Sequence, residues 1–236
     1  MNKSDSRYQL YINILKEELV PAMGCTEPIC LAYAAAKAHQ VLGDTPDRVE
    51  VLASGNIIKN VKSVIVPNTN GMKGIKAAVA VGIIAGNPDK ALEVIANVTP
   101  EQKKMTEDYL ASTPITVKHI TCRDQLDITV IAYKGEHHAD VRICGFHTNI
   151  VHIQKDNIIL FESETIAMPT NELTDRSCLS IAGIVDFADS VDIQDIKEII
   201  GRQIEYNKAI SDEGLKNNWG ANIGSTLLKY YPHLIQ

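Results

Sequence analysis

The sequence predicts an α+β fold, with helices at both ends of the chain and a central, mainly antiparallel sheet. Two observations carry this prediction. In the middle of the chain, five short segments are β-branched or alternate between apolar and polar residues, and turn signals such as Lys134-Gly135 and Asp156-Asn157 separate them. On both sides of this region, apolar residues recur at the three- and four-residue spacing of helices. Strands and helices that are segregated along the chain are typical of α+β proteins.

The first elements are predicted from residue spacing and from helix-start signals. Apolar residues at helical spacing predict a helix over residues 8–19. Pro28 is predicted to begin the second helix, because proline is tolerated in the first turn and the residue before it avoids helical dihedrals. This helix runs to about residue 42, before a glycine. Two strands are then predicted over residues 49–54 and 61–66, the second because it is β-branched.

The remaining elements follow by the same criteria. Helices are predicted over residues 75–85, 89–96 and 101–111. The strands of the antiparallel meander cover residues 115–121, 127–133, 139–144, 149–153 and 158–162. Further helices are predicted over residues 181–189, 191–207 and 221–231. We therefore divide the chain into an α+β domain, residues 1–175, and a helical region, residues 176–236, which is expected to begin a truncated C-terminal half.

Composition and charge describe an ordinary globular protein. The chain has 236 residues, of which 45% are hydrophobic and 22% charged, with a formal net charge of −6. An acidic balance without a basic stripe weighs against nucleic acid or an anionic membrane as the main partner. The start of the sequence has no apolar leader, and the longest apolar stretch, residues 77–85, is too short to span a bilayer. A cytoplasmic location is therefore expected.

Five cysteines occur, and their spacing does not form a zinc motif. Their number is odd and no CxxC pair is present, so free thiols or metal ligands are expected rather than disulfides. Cys25 precedes the predicted start of a helix, where the partial positive charge of the helix end favours a thiolate. The alternative is a small apolar residue in a tight turn. Cys30 follows five positions later, about 140° around a helix, and would face elsewhere.

Polar side chains cluster in two further segments. Residues 54–60 place amide, hydroxyl and ammonium groups at the end of a strand, and residues 66–74 form a glycine-containing loop that runs into a helix. Such loops can hold a carboxylate or phosphate, although neither segment is a Walker A or dinucleotide motif. A plain turn with a helix cap is the alternative. His147 lies between two strands and is either an acid–base group or a hydrogen-bonded structural histidine.

Four blocks of this sequence together resemble one family. The blocks are Gly-Cys-Thr-Glu-Pro-Ile at 24–29, Ser-Gly-Asn-Ile-Ile-Lys-Asn at 54–60, Val-Pro-Asn-Thr at 66–69 with Gly71 and Lys73-Gly74, and Gly-Phe-His-Thr-Asn at 145–149. In order and spacing they are similar to the L-cysteine desulfidase family of the UPF0597 type, which is related to the α chain of iron–sulfur L-serine dehydratases. The resemblance covers nearly the whole chain, and its first block is the most specific.

The resemblance implies a lyase that splits L-cysteine into pyruvate, ammonia and sulfide without pyridoxal phosphate. In the family, three cysteines hold a 4Fe–4S cluster and leave one iron open to the substrate. Cys25 matches the first of these ligands. Lys73 and His147 are candidates for the catalytic base. The substrate-binding candidates are Asn56, Lys59, Asn60, Asn68 and Thr69.

The resemblance also has a departure. The other two cluster cysteines of the family lie in a C-terminal half beyond Gln236, and the serine- and glycine-rich signature is absent. The chain is therefore expected to be the N-terminal portion of such a lyase, acting on a small amino acid as a homo-oligomer or with a partner chain that carries the missing half. The alternatives are an iron–sulfur L-serine dehydratase-like subunit that needs a partner chain and a non-catalytic amino-acid-binding remnant.

Overall fold

The structure is a computed structural model that describes residues 1–122, 124–163, 173–218 and 221–231. It divides the chain into two compact units. One unit is Pro21–Asn171, and the other combines Met1–Val20 with Glu172–Gln236. In this division the first helix belongs to the same unit as the C-terminal helices.

The described residues confirm an α+β fold with helices at both ends. The helices are α1 Ser6–Glu18, α2 Thr26–Leu42, α3 Gly55–Val61, α4 Gly74–Ala85, α5 Pro100–Ser112, α6 Ile181–Ser190, α7 Ile193–Lys216 and α8 Ile223–Tyr230, with a 3₁₀ segment at Pro88–Glu93. The strands are β1 Arg48–Ser54, β2 Ile115–Ile120, β3 Asp127–Lys134, β4 His137–Cys144, β5 Ile150–Lys155 and β6 Ile158–Glu162.

The six strands form one sheet in the order β2-β1-β3-β4-β5-β6. The predicted meander is confirmed for β3 to β6, which pair in sequence order and are all antiparallel. It is wrong for β2, which was expected to begin the meander but pairs with β1 and not with β3. The pairing of β1 with β2 is parallel, with Val49 opposite Ile115. Three helices, α3 to α5, form the crossover between these two strands. At the other edge, all five residues of β6 are exposed, and β6 pairs with no described strand besides β5.

Helix α2 is the centre of the sheet-containing unit. It packs against β3 and β4 on one side and against α4 on another. Its buried residues include five alanines, Ala32, Ala34, Ala35, Ala36 and Ala38. Small side chains let neighbouring backbones approach closely, so α2 can be enclosed on several sides at once. Pro28, Ile29 and Cys30 near the start of α2 are buried, so the core holds the helix end that Cys25 precedes.

Three predicted elements are corrected by the structure. The helix expected over residues 89–96 is a 3₁₀ segment at Pro88–Glu93. Residues 61–66 do not form a strand, because the chain instead enters α3 directly after β1, and only Ile65 makes an isolated bridge, with Lys73. Ser54 caps α3 by accepting a hydrogen bond from the Ile57 amide, and Ile57 is buried in the core. Helix α2 begins at Thr26, two residues before Pro28, so Cys25 is the N-cap residue.

The helical unit has its own small core. Tyr8, Tyr11 and Ile12 of α1 pack with Phe187 of α6 and Ile199 of α7. The Tyr8 and Phe187 rings meet edge to face, with centroids 5.6 Å apart. Among the residues that the structure describes, no helix is long and apolar enough to cross a membrane.

Candidate functional site

Cys25 is exposed at the N-terminus of α2 and is tied to a carboxylate rather than to the helix backbone. Its Sγ atom donates a hydrogen bond to Oε2 of Glu27 at 3.0 Å. The other oxygen of Glu27, Oε1, accepts a hydrogen bond from Nδ2 of Asn60 at 3.2 Å. Gly24 precedes the thiol with φ +106°, a left-handed conformation that glycine adopts without strain. Thiol, carboxylate and amide therefore form one connected group.

Helix α3 brings two asparagines to the same side of this group. Asn56 and Asn60 are four residues apart, so they lie on one face of the helix. Ser54 fixes the start of α3, since its Oγ donates to the carbonyl oxygen of Gln125 at 2.6 Å while capping the helix. This bond ties α3 to the connection between β2 and β3, which contains Asp124 and Gln125.

The opposite wall comes from the connection between β4 and β5. The Gly145 amide donates to the carbonyl oxygen of Leu126 at 2.9 Å, which holds this connection beside the one between β2 and β3. His147 is anchored to α2, because its Nε2 lies 3.1 Å from Oγ1 of Thr26. The walls enclose a cleft of about 300 Å³. Its lining residues are Glu27, Asn56, Ile57, Asp124, Gln125, Leu126, Gly145 and His147.

The ionisation of the cleft differs from the sequence-based prediction for Cys25. Burial and the hydrogen bond to the Glu27 carboxylate raise the pKa of the Cys25 thiol, so a thiolate is not favoured in this conformation. The carboxylate places a full negative charge beside the sulfur and outweighs the partial positive charge of the helix end. The hydrogen bond from Cys25, helped by Asn60 and by the charge of His147, lowers the pKa of Glu27. Burial lowers the pKa of His147 against the opposing charge of Glu27.

The structure brings together four of the predicted site residues and leaves four elsewhere. Cys25, Asn56, Asn60 and His147 lie in or beside the cleft. The four that do not line it are Lys59 and Lys73, both exposed, with Asn68 and Thr69. The Asn68 amide donates to the carbonyl oxygen of Ile95 at 3.0 Å, and the Thr69 hydroxyl donates to that of Val66 at 2.7 Å.

Three cleft residues with polar side chains were not predicted. Glu27 belongs to the Cys25 motif, and its carboxylate beside a thiol could have suggested a role. Asp124 and Gln125 lie in a polar connection that carries no recognisable motif. Only the three-dimensional contact with Ser54 shows that they belong to the cleft.

The cysteines of the described residues do not fit a cluster that needs three thiolates. Within the described ranges, no group of three or more histidine, cysteine or acidic side chains is placed to hold a metal ion. Cys30 and Cys144 are buried, and burial raises the pKa of Cys144 to about 12. Cys122 is half-buried and donates to the carbonyl oxygen of Asp124 at 3.3 Å. Of the five cysteines, Cys25 is the exposed one, whereas Cys122 and Cys178 are half-buried.

Replacing His147 by glutamine is expected to reduce the acid sensitivity of the fold. Because the folded imidazole has a lowered pKa, the unfolded chain binds more protons as the pH falls through about 6.5, and the free energy of unfolding decreases. Glutamine can still bond Thr26 but does not titrate. Between pH 7.5 and 5.5 the wild type should therefore lose more stability than His147→Gln.

Urea midpoints at the two pH values measure this difference. His137→Gln is the matched control, because His137 is exposed and pairs with Asp156, away from the cleft. Equal pH dependence in the wild type and His147→Gln would contradict the prediction.

Fold and cleft together define an α+β protein with a thiol, a carboxylate, two amides and an imidazole gathered around the N-terminus of its central helix. The homologues of this chain are UPF0597 proteins. It is 52% identical over 231 residues to a UPF0597 protein of Desulfitobacterium hafniense, covering 98% of this chain and 54% of that relative. It is 44% identical over 231 residues to one of Treponema denticola, with the same coverages. Over 224 residues it is 48% identical to one of Lachnoclostridium phytofermentans, covering 95% of this chain and 54% of the relative.

The UPF0597 part of the resemblance is confirmed by these relatives along nearly the whole chain. The chain spans about half the length of the curated relatives it matches. No family model matches the chain. No solved structure matches it either.

Proposed function

We propose that the cleft beside Cys25 binds a small L-amino acid with a leaving group on its β carbon. The chain then forms the amino-acid-binding part of an L-cysteine desulfidase-like lyase. The observation that carries this proposal is the cleft itself, which gathers Glu27, Asn56 and His147 around a volume of about 300 Å³. That volume is at the lower end for small-molecule pockets and suits a compact substrate.

The cleft offers complementary groups for each part of an amino acid. The Glu27 carboxylate, whose pKa is lowered, stays charged and attracts the substrate ammonium group. The Asn56 amide can donate to the substrate carboxylate. With these two ends held, the α carbon and its leaving group lie between α3 and the connection that carries His147.

His147 is suited to accept the α-proton. Its lowered pKa keeps the imidazole neutral near neutral pH, and in the tautomer whose Nε2 proton is donated to Thr26, Nδ1 is free to accept a proton. Removing the α-proton from L-cysteine while the bond from the β carbon to sulfur breaks releases sulfide and leaves 2-aminoacrylate. Water then converts its imine tautomer into pyruvate and ammonia.

The 4Fe–4S cluster implied by the resemblance would need further ligands from outside the described residues, since no three metal-binding side chains are grouped there. The cluster is described in the family as the group that polarises the substrate, and Cys25 would supply one of its ligands. The shortage of ligands among the described residues is also compatible with a second candidate function, an iron–sulfur L-serine dehydratase-like subunit whose site is completed by a partner chain. Both candidates share the amino-acid-binding role of the cleft.

Amino-acid binding is the test, because it needs only this chain. Calorimetric titration with L-cysteine, L-serine and D-cysteine is expected to show binding of an L-amino acid. Asn56→Ala should weaken binding about tenfold or more, because a hydrogen bond to a charged group contributes about 1.5–3 kcal/mol. Lys62→Ala is the control, since Lys62 is an exposed residue at the end of the same helix. Absence of binding at millimolar concentrations, or unchanged affinity in Asn56→Ala, would overturn the proposal.

A further inference from the structure

An apolar groove crosses the helical unit between α1, α6 and α7. Its volume is about 510 Å³, and every residue that lines it is apolar or aromatic. Tyr11 and Phe187 form its floor, since both are buried and their ring centroids lie 5.1 Å apart. Leu15, Ile184 and Ile200 line it from α1, α6 and α7.

The groove extends onto an exposed apolar face. Ile193, Ile200 and Ile204 are spaced by seven and four residues, so they lie on one face of α7. Ile193 is 70% exposed and Ile204 is 61% exposed. On α6, Ile184 is 48% exposed. The apolar surface is therefore larger than the groove and continues along α7.

Such a surface is unusual for a folded unit. Folded proteins rarely expose contiguous apolar patches larger than a few hundred Å², and larger ones mark interaction sites. Only six apolar side chains are buried among the described residues of this unit. More apolar side chains of α6 to α8 are exposed than are buried, which is the reverse of what a self-contained helical bundle shows.

The relatives indicate what covers it. The D. hafniense protein matches 98% of this chain, including the groove helices, yet the match spans only 54% of its own length. Nearly half of that protein therefore lies outside the matched region. We infer that the groove of α1, α6 and α7 docks this unmatched part of UPF0597 proteins, which lays the apolar face of an amphipathic helix into it.

Binding of that part tests the inference directly. The unmatched portion of the D. hafniense protein, made soluble by fusion to a carrier protein, is titrated against the 236-residue chain. A one-to-one complex is expected by light scattering after size exclusion. Ile184→Glu and Ile200→Glu, which place a charge in the groove, should each weaken binding at least tenfold. Met105→Glu is the control, because Met105 is 54% exposed on α5 of the other unit.

Three results would overturn the inference: no binding by the soluble portion, equal affinity of Ile184→Glu and wild type, or self-association of the chain through the groove that Ile184→Glu abolishes. Circular dichroism shows whether each variant is folded, and Ile184 is exposed enough for a folded variant to be expected. The titration contains neither amino acid nor iron, so its outcome is independent of the proposed lyase chemistry.

Discussion

Replacing Arg142 by methionine is expected to lower the free energy of unfolding by about 3 kcal/mol. Arg142 on β4 donates two hydrogen bonds to Asp127 on β3, at 2.9 and 2.7 Å. The Asp127 side chain is only 1% exposed, whereas that of Arg142 is 41% exposed. Removing the guanidinium therefore leaves a buried carboxylate without its partner, and such a charge is costly because water cannot replace the lost bonds.

The effect should also reach the cleft. Asp127 directly follows Leu126, which lines the cleft, and pairs in register with Cys144, which directly precedes Gly145. Loosening this end of the β3–β4 pair displaces both walls, so Arg142→Met is expected to weaken amino-acid binding as well as stability.

Urea unfolding measures the stability change, and the sheet offers a matched control. Lys118 and Glu50 form a cross-strand ion pair at 2.9 Å in which the Lys118 side chain is 60% exposed. Lys118→Met should cost less than about 1 kcal/mol, as exposed ion pairs do. Asp127→Asn should cost less than Arg142→Met, because the guanidinium that remains is partly hydrated. Similar losses of unfolding free energy in Arg142→Met and Lys118→Met would contradict the prediction that the buried Asp127–Arg142 pair stabilises the fold more than an exposed pair does.

Replacing Gly82 by alanine is expected to cost about 2–3 kcal/mol of stability. A Cβ atom on Gly82 would lie 2.3 Å from the carbonyl oxygen and 2.8 Å from the Cα atom of Ala32. Both atoms belong to the backbone of α2, so no side-chain rotation can relieve the overlap and α4 must move away from α2. The helix propensity of alanine recovers about 1 kcal/mol at most.

Gly201→Ala is the control for this substitution. Gly201 lies in α7, and no described atom outside its own stretch of that helix lies within 4 Å of the position that its Cβ would take. There the same change should leave stability unchanged or raise it by about 0.5–1 kcal/mol. Denaturation followed by circular dichroism compares the two variants. Equal changes in stability in Gly82→Ala and Gly201→Ala would mean that α4 can move away from α2 at little cost.

The strands of the meander could be predicted because each carries its own signal. Alternation in β3 and β4 buries one face, and the turn around Gly135 connects them. The parallel pairing of β1 with β2 could not be predicted, since three helices separate the strands along the chain. Helix α3 was likewise not predicted. Its Gly-Asn pair favours a turn and the β-branched residues that follow favour a strand, whereas the helix start depends on the cap that Ser54 provides.

The cleft was predicted only in part, for a related reason. The Cys25 motif, Asn56, Asn60 and His147 stand out by residue type, and the structure gathers them. Asn68 is of the same type, yet its amide is bonded to the backbone of a neighbouring loop. The sequence cannot show whether a side-chain amide faces a ligand or bonds to nearby backbone, because both roles need the same hydrogen-bonding group.

The exposed edge strand β6 has a consequence for how the chain behaves in concentrated solution. Ile158, Leu160 and Phe161 are 66%, 56% and 46% exposed, and no described strand pairs with the outer edge of β6. An edge of this kind presents main-chain hydrogen-bond donors and acceptors to any extended peptide. Because these three side chains are apolar, they carry no charge that would repel such a peptide. Colloidal stability thus depends on this strand, whereas thermodynamic stability depends on α2 and the core around it.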